Sequence, residues 1–123
     1  MVVIKKFENV IPVDFGEFEL KFVVSDDNIL KLAELKDYAK ELQEKLSNLS
    51  GTTSDLKTVK DLAKDLWVKL FDEDTFNRVY EVCGRSCIPT FLSAVQTIKG
   101  IADEMENSMT VDKYIKYLDI DHA

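Results

Sequence analysis

Two apolar seams constrain this chain more than any other feature. Leu32, Leu35, Ala39, Leu42, Leu46 and Leu49 follow one another at intervals of 3, 4, 3, 4 and 3 residues. Leu56, Val59, Ala63, Leu66 and Leu70 repeat the 3, 4, 3, 4 spacing, and Trp67 widens that stripe. At 3.6 residues per turn such spacing lines one helix face with apolar side chains. The polar run Ser47-Asn48-Leu49-Ser50-Gly51-Thr52-Thr53-Ser54 between the seams has the composition of a loop. Helices over about residues 29–49 and 55–70 follow, folded back on each other as an α-hairpin. A seam shared with a second copy is the alternative. The repeat is shorter than the three or four heptads a coiled coil wants, which favours pairing within the chain.

The N-terminal quarter has a different period. Phe18, Leu20, Phe22 and Val24 alternate with Glu17, Glu19 and Lys21, the signature of a strand with one buried face. Asp14-Phe15-Gly16 supplies turn chemistry before it, and residues 8–13 offer a partner strand. Pro12 lacks an N–H for the ladder, so that partner belongs at an edge. A hairpin over about residues 8–24 needs helices against its apolar face.

Ser25-Asp26-Asp27-Asn28 provides several N-cap candidates for the first helix. Asp72 or Asp74 can cap a short third helix holding Phe76, Val79, Tyr80 and Cys83, which Gly84 stops. Pro89 fits the first turn of a fourth helix. Its stripe is Phe91, Leu92, Val95, Ile98, Ile101, Ala102 and Met105, weakened by Gly100 inside it. Thr110 can cap a last helix with Val111, Tyr114, Ile115 and Leu118, within a tail of residues 107–123 that docks loosely or depends on a partner. The fold class is mainly α: four to five helices with an N-terminal β-hairpin, in one domain with its helical part over about residues 28–106.

Composition narrows function by exclusion. With 123 residues and 46% hydrophobic content, the chain is long and apolar enough for one packed core. Its formal charge of −7 argues against neutralising nucleic-acid phosphates. No apolar run approaches the roughly 20 residues of a membrane span, and no signal-peptide core follows Lys5-Lys6. A protein that stays in the cytoplasm is expected.

No catalytic constellation is legible. The single histidine, His122, sits in the tail, so neither a Ser-His-Asp nor a Cys-His arrangement is built. Cys83 and Cys87 are spaced Cys-x-x-x-Cys, unlike redox or zinc ribbons, and read as reduced, packed thiols. A small redox or metal enzyme using them is a remote alternative. Asp72, Glu73 and Asp74 lack the ligand spacing of an EF-hand and suit a helix cap instead. No catalytic residue, cofactor or metal site is expected. Asp103, Glu104 and Glu106 place negative charge where a helix dipole disfavours it, a local conflict that can mark an interaction site.

Residues 68–106 carry a more specific pattern: Leu70-Phe71, the acidic turn Asp72-Glu73-Asp74, Phe76, Tyr80, Cys83-Gly84, and an apolar helix ending Ile98-Lys99-Gly100-Ile101. This segment resembles the tail assembly chaperones of long-tailed bacteriophages, especially those of Gram-positive hosts. The N-terminal hairpin followed by helices is similar to that family too, while Cys87-Ile88-Pro89 lies outside the pattern.

The resemblance implies a non-enzymatic, self-associating protein of the infected cell's cytoplasm. It would bind the tail tape-measure protein and keep it soluble. Polymerising tail-tube protein would displace it, leaving it absent from the mature virion. Leu35, Leu42, Trp67 and Phe71, as core residues first and contacts second, join Asp103, Glu104 and Glu106 as the candidate interaction surface. The competing expectation from charge alone is an acidic inhibitor or nucleic-acid mimic that binds a basic protein surface.

Overall fold

The computed structural model describes residues 1–3, 10–49 and 53–108, with side chains as far as Glu106. Among the described residues it is mainly helical, with a two-stranded antiparallel hairpin and four helices. The start of the expected first strand at Glu8 and the expected fifth helix lie outside the described residues, as does most of the 107–123 tail.

Strands β1 (Val10–Asp14) and β2 (Glu19–Val23) pair with Ile11 opposite Phe22 and Val13 opposite Leu20. The period-2 pattern therefore buries Ile11, Leu20 and Phe22, while Val10 and Val23 face out. Phe18 and Val24 are half-buried and pack on the core from just outside the strands. In the turn the Asp14 carboxylate accepts the Gly16 N–H at 2.7 Å, and Phe15 N–H donates to the Phe18 carbonyl at 2.9 Å. Gly16 has φ +82°, a conformation that costs a side chain more than it costs glycine.

Helix α1 (Asp26–Ser47) begins three residues before the seam suggested. Ser25 is its N-cap, with Oγ accepting the Asn28 N–H at 3.2 Å, so Asp26 and Asp27 fall in the first turn where the dipole favours acids. Asn28 Nδ2 also donates to the Val23 carbonyl at 2.8 Å, which fastens the helix start to the end of β2. The helix closes at Ser47, two residues short of Leu49, where Asn48 and Leu49 donate back to Lys45 and Leu46 at 3.2 and 3.1 Å.

Helix α2 (Thr53–Leu70) packs against α1, helix α3 (Glu73–Val82) and helix α4 (Cys87–Ser108). Ala63, Leu66 and Trp67 on it are fully buried. Asp72, rather than Asp74, caps α3 by accepting the Thr75 N–H at 2.7 Å. At the other end Gly84 N–H reaches the Glu81 carbonyl and Arg85 N–H reaches the Tyr80 carbonyl, at 3.0 and 2.8 Å. These are the two bonds of a Schellman cap, with Gly84 at φ +69°. Helix α4 starts two residues before Pro89.

The hairpin and all four helices share one hydrophobic core. Two residues assigned to buried stripes are outside it. Leu56 is 49% exposed. It lies on the same face as buried Ala63, seven residues on, so its exposure comes from its place near the start of α2. Leu92 is 50% exposed, since it sits about 100° round α4 from its fully buried neighbour Phe91, away from Ala94 and Ile98.

Candidate interaction surface

The seven candidate residues divide by burial into three buried, one half-buried and three exposed. Leu35 and Leu42 of α1 and Trp67 of α2 are core residues, although Leu35 also lines a groove with Lys31, Glu34, Tyr38 and Lys69. The reason is the α-hairpin itself: each seam faces neighbouring helices, so its central positions lose contact with solvent. Trp67 is 0% exposed, and its Nε1–H donates to the Thr90 carbonyl of α4 at 3.0 Å. Phe71 is half-buried. Its ring stacks on Trp67 with centroids 6.2 Å apart and meets Phe22 edge-on at 6.3 Å. Phe15 packs on Trp67 from the hairpin turn at 5.6 Å and stacks on Phe18 at 5.0 Å. This aromatic group fixes the hairpin on the C-terminal end of α2.

Asp103, Glu104 and Glu106 are exposed, and helix geometry turns Glu104 away from the other two. Asp103 lines a groove between α1 and α4 with Lys36, Lys40 and Lys99. Glu104 lies beside β1, in a groove with Ile11, Pro12 and Gln96. Glu106 edges a third groove nearer the start of α1. One acidic run in the sequence thus divides in two: Asp103 and Glu106, one turn apart, edge grooves that share Lys36, while Glu104 faces β1. No basic residue occupies the last turn of α4 to offset them against the dipole.

The third groove was not legible from the seams. Its floor is Ile29, Leu32 and Ala33 of α1 with Ala102 and Met105 of α4, and Lys36 and Glu106 stand at its rim. It encloses about 340 Å³ and is mostly apolar. The signal for it was present as Ile29 and Ala33, one turn apart and beside the leucine seam. Ile88 and Leu92 form a second exposed apolar feature, at 51% and 50% exposure, stacked one turn apart on α4.

Several polar groups at the surface link elements of the fold. Tyr38 of α1 donates its hydroxyl to Asp65 Oδ2 of α2 at 2.6 Å. Lys69 Nζ lies 3.2 Å from the same oxygen and 4.4 Å from the Tyr38 ring centre. The hydrogen bond to Asp65, burial and the nearby carboxylates push the Tyr38 pKa up to about 12. The hydroxyl and N–H of Thr75 hold the Asp72 carboxyl below the usual carboxylate range. Cys83 and Cys87 are free, half-buried thiols on either side of the Gly84 cap. Among the described residues no cluster of His, Cys, Asp or Glu converges as a metal site, and no helix is long and apolar enough to cross a membrane. Compared with known proteins, the chain matches no protein-family model, no curated protein and no solved structure.

Proposed function

We propose that this chain is a non-enzymatic tail assembly chaperone that self-associates and binds the tape-measure protein of a long phage tail. It would keep that helical client soluble in the host cytoplasm until tail-tube subunits polymerise, and would not enter the mature virion. The reading starts from the resemblance carried by residues 68–106. The observation that carries it further is the exposed pair Ile88 and Leu92, a small apolar ridge within that segment. A helical client can lay an apolar face on such a ridge, and the net charge of −7 keeps the unloaded chaperone in solution.

The test is light scattering of the purified protein over a concentration series, with and without a co-expressed tape-measure fragment. A concentration-dependent oligomer, or a soluble complex with several copies per client, supports the reading. The variant Ile88→Glu/Leu92→Glu should remain folded and lose client solubilisation. A monomer at every concentration with the client still insoluble refutes it.

A second reading, an acidic protein that binds a basic surface, draws on the exposure of Asp103, Glu104 and Glu106. It predicts partner binding that weakens steeply with salt. Binding insensitive to salt rules it out.

A further inference from the structure

We infer that the groove between α1 and α4 rimmed by Lys36, Lys40 and Lys99 is a docking site for an acidic amphipathic helix of a partner protein. Its floor is Ala39, Val95 and Ile98, and the three lysines stand along its edges. Ala39 is the one small member of an α1 seam otherwise made of leucines, so the furrow beside α4 is left unfilled there. A lysine on such an edge lays its aliphatic stem against apolar neighbours and keeps its ammonium in water. An occupant can therefore gain apolar contact and an ion pair from the same side chain.

Charge complementarity identifies the occupant. Among the described residues no carboxylate pairs with Lys36, Lys40 or Lys99, whereas Lys64, Lys69 and Arg85 have theirs at 3.1, 3.2 and 3.8 Å. Asp103, the one carboxylate on this rim, follows Lys99 by one turn and forms no ion pair with it. The net charge of −7 does not oppose an acidic ligand here. At physiological salt the screening length is about 8 Å, so the three adjacent lysines set the potential in the groove. Lys36 and Lys40 are one turn apart, a rise of about 6 Å. Carboxylates at i and i+4 of a helix laid along α1 have the same spacing, and apolar residues beside them reach the floor. The inference does not depend on the chaperone reading.

The experiment titrates the full chain into a fluorescein-labelled helical peptide, one face of which carries glutamates at i and i+4 and leucines at i+3 and i+7. Fluorescence anisotropy reads the affinity. Lys36→Gln/Lys40→Gln/Lys99→Gln should weaken binding about tenfold. Lys21→Gln/Lys45→Gln/Lys57→Gln removes three exposed lysines outside the groove and alters net charge equally, so it should weaken binding less than about twofold. Circular dichroism checks that both variants are folded. In the unmodified chain the methyl resonances of Ala39, Val95 and Ile98 should shift on peptide addition, and those of Ile88 and Leu92 should not. No binding, equal losses in the two variants, or undiminished binding of a peptide with lysines in place of the glutamates overturns the inference. Binding to anionic phospholipid vesicles instead of the peptide overturns it as well, and assigns the three lysines to a membrane surface.

Discussion

The indole N–H of Trp67 donates to the main-chain carbonyl of Thr90 across 3.0 Å, in a part of the core where both residues are fully buried. The bond joins the last turn of α2 to the first turn of α4. The same carbonyl accepts the Ser93 hydroxyl at 2.8 Å, and the Thr90 hydroxyl is satisfied by the Ser86 carbonyl at 2.7 Å. Every polar group at this crossing has a partner, as low-dielectric surroundings demand.

Trp67→Phe therefore removes a donor without orphaning its acceptor. Loss of one hydrogen bond and part of a ring should lower stability by about 2 kcal/mol. Trp67→Ala, which also leaves a large cavity, should cost about 3–5 kcal/mol. Urea unfolding followed by circular dichroism measures both. A loss under about 0.5 kcal/mol for Trp67→Phe would show that the indole bond contributes little.

This crossing illustrates what the sequence could and could not convey. Trp67 was legible as a stripe residue because helical periodicity reports which face is apolar. Its partner was not, since nothing local in the sequence links residue 67 to residue 90. The same division runs through the candidate surface. Leu35 and Leu42 were visible as seam positions, yet whether a seam faces a neighbour or solvent is decided by tertiary packing. The Asp103, Glu104 and Glu106 run read as one patch, because adjacency in sequence hides the rotation of about 100° per residue that turns Glu104 away from Asp103 and Glu106. Leu56 lay on the right face but near a helix end, where periodicity carries no information about depth. The hairpin, the Gly84 stop and the caps were legible because they depend on short-range chemistry.

Tyr38 and Asp65 link α1 to α2, and the raised tyrosine pKa gives this link a pH signature. The folded value of about 12 exceeds the ordinary value of 10.0. The neutral hydroxyl is the donor, so the contribution is complete below pH 10 and is lost as pH rises through about 12. The site is half-exposed, and solvent screening holds the effect to about 1 kcal/mol or less. Ultraviolet absorbance should show one of the four tyrosines ionising near pH 12. Tyr38→Phe should abolish that late step and flatten the difference in stability between pH 9 and 11. Ionisation of all four tyrosines near pH 10 would contradict the link.

Asp72 starts α3 through its bond to the Thr75 N–H. Asp72→Ala should destabilise by about 1 kcal/mol, whereas Asp72→Asn, which preserves an acceptor, should cost a few tenths. The lowered carboxyl pKa adds a pH dependence of the opposite sense to that of Tyr38. Its stabilisation is present above the ordinary value of 3.8 and is lost as pH falls through the lower folded value. Thermal unfolding between pH 2.5 and 6 should therefore show a smaller acid-side decline in Asp72→Asn than in the parent. Identical declines would mean that ionisation of Asp72 contributes nothing to holding the helix start.

Gly84 and Gly100 should respond in opposite directions to the same substitution. A Cβ added at either position meets no atom within 4 Å, so space decides neither case. Gly84 has φ +69°, where an L side chain strains the backbone, and it supplies the N–H that closes the α3 cap. Gly84→Ala should cost about 1 kcal/mol. Gly100 lies inside α4 in ordinary helical conformation, where glycine brings only the entropy it loses on folding. Gly100→Ala should add about 1 kcal/mol, or roughly 4 °C in Tm. Paired thermal melts of the two variants give the comparison directly. A loss at Gly100 would mean that the space beside β1, which it shares with Pro12 and Glu104, has to stay open.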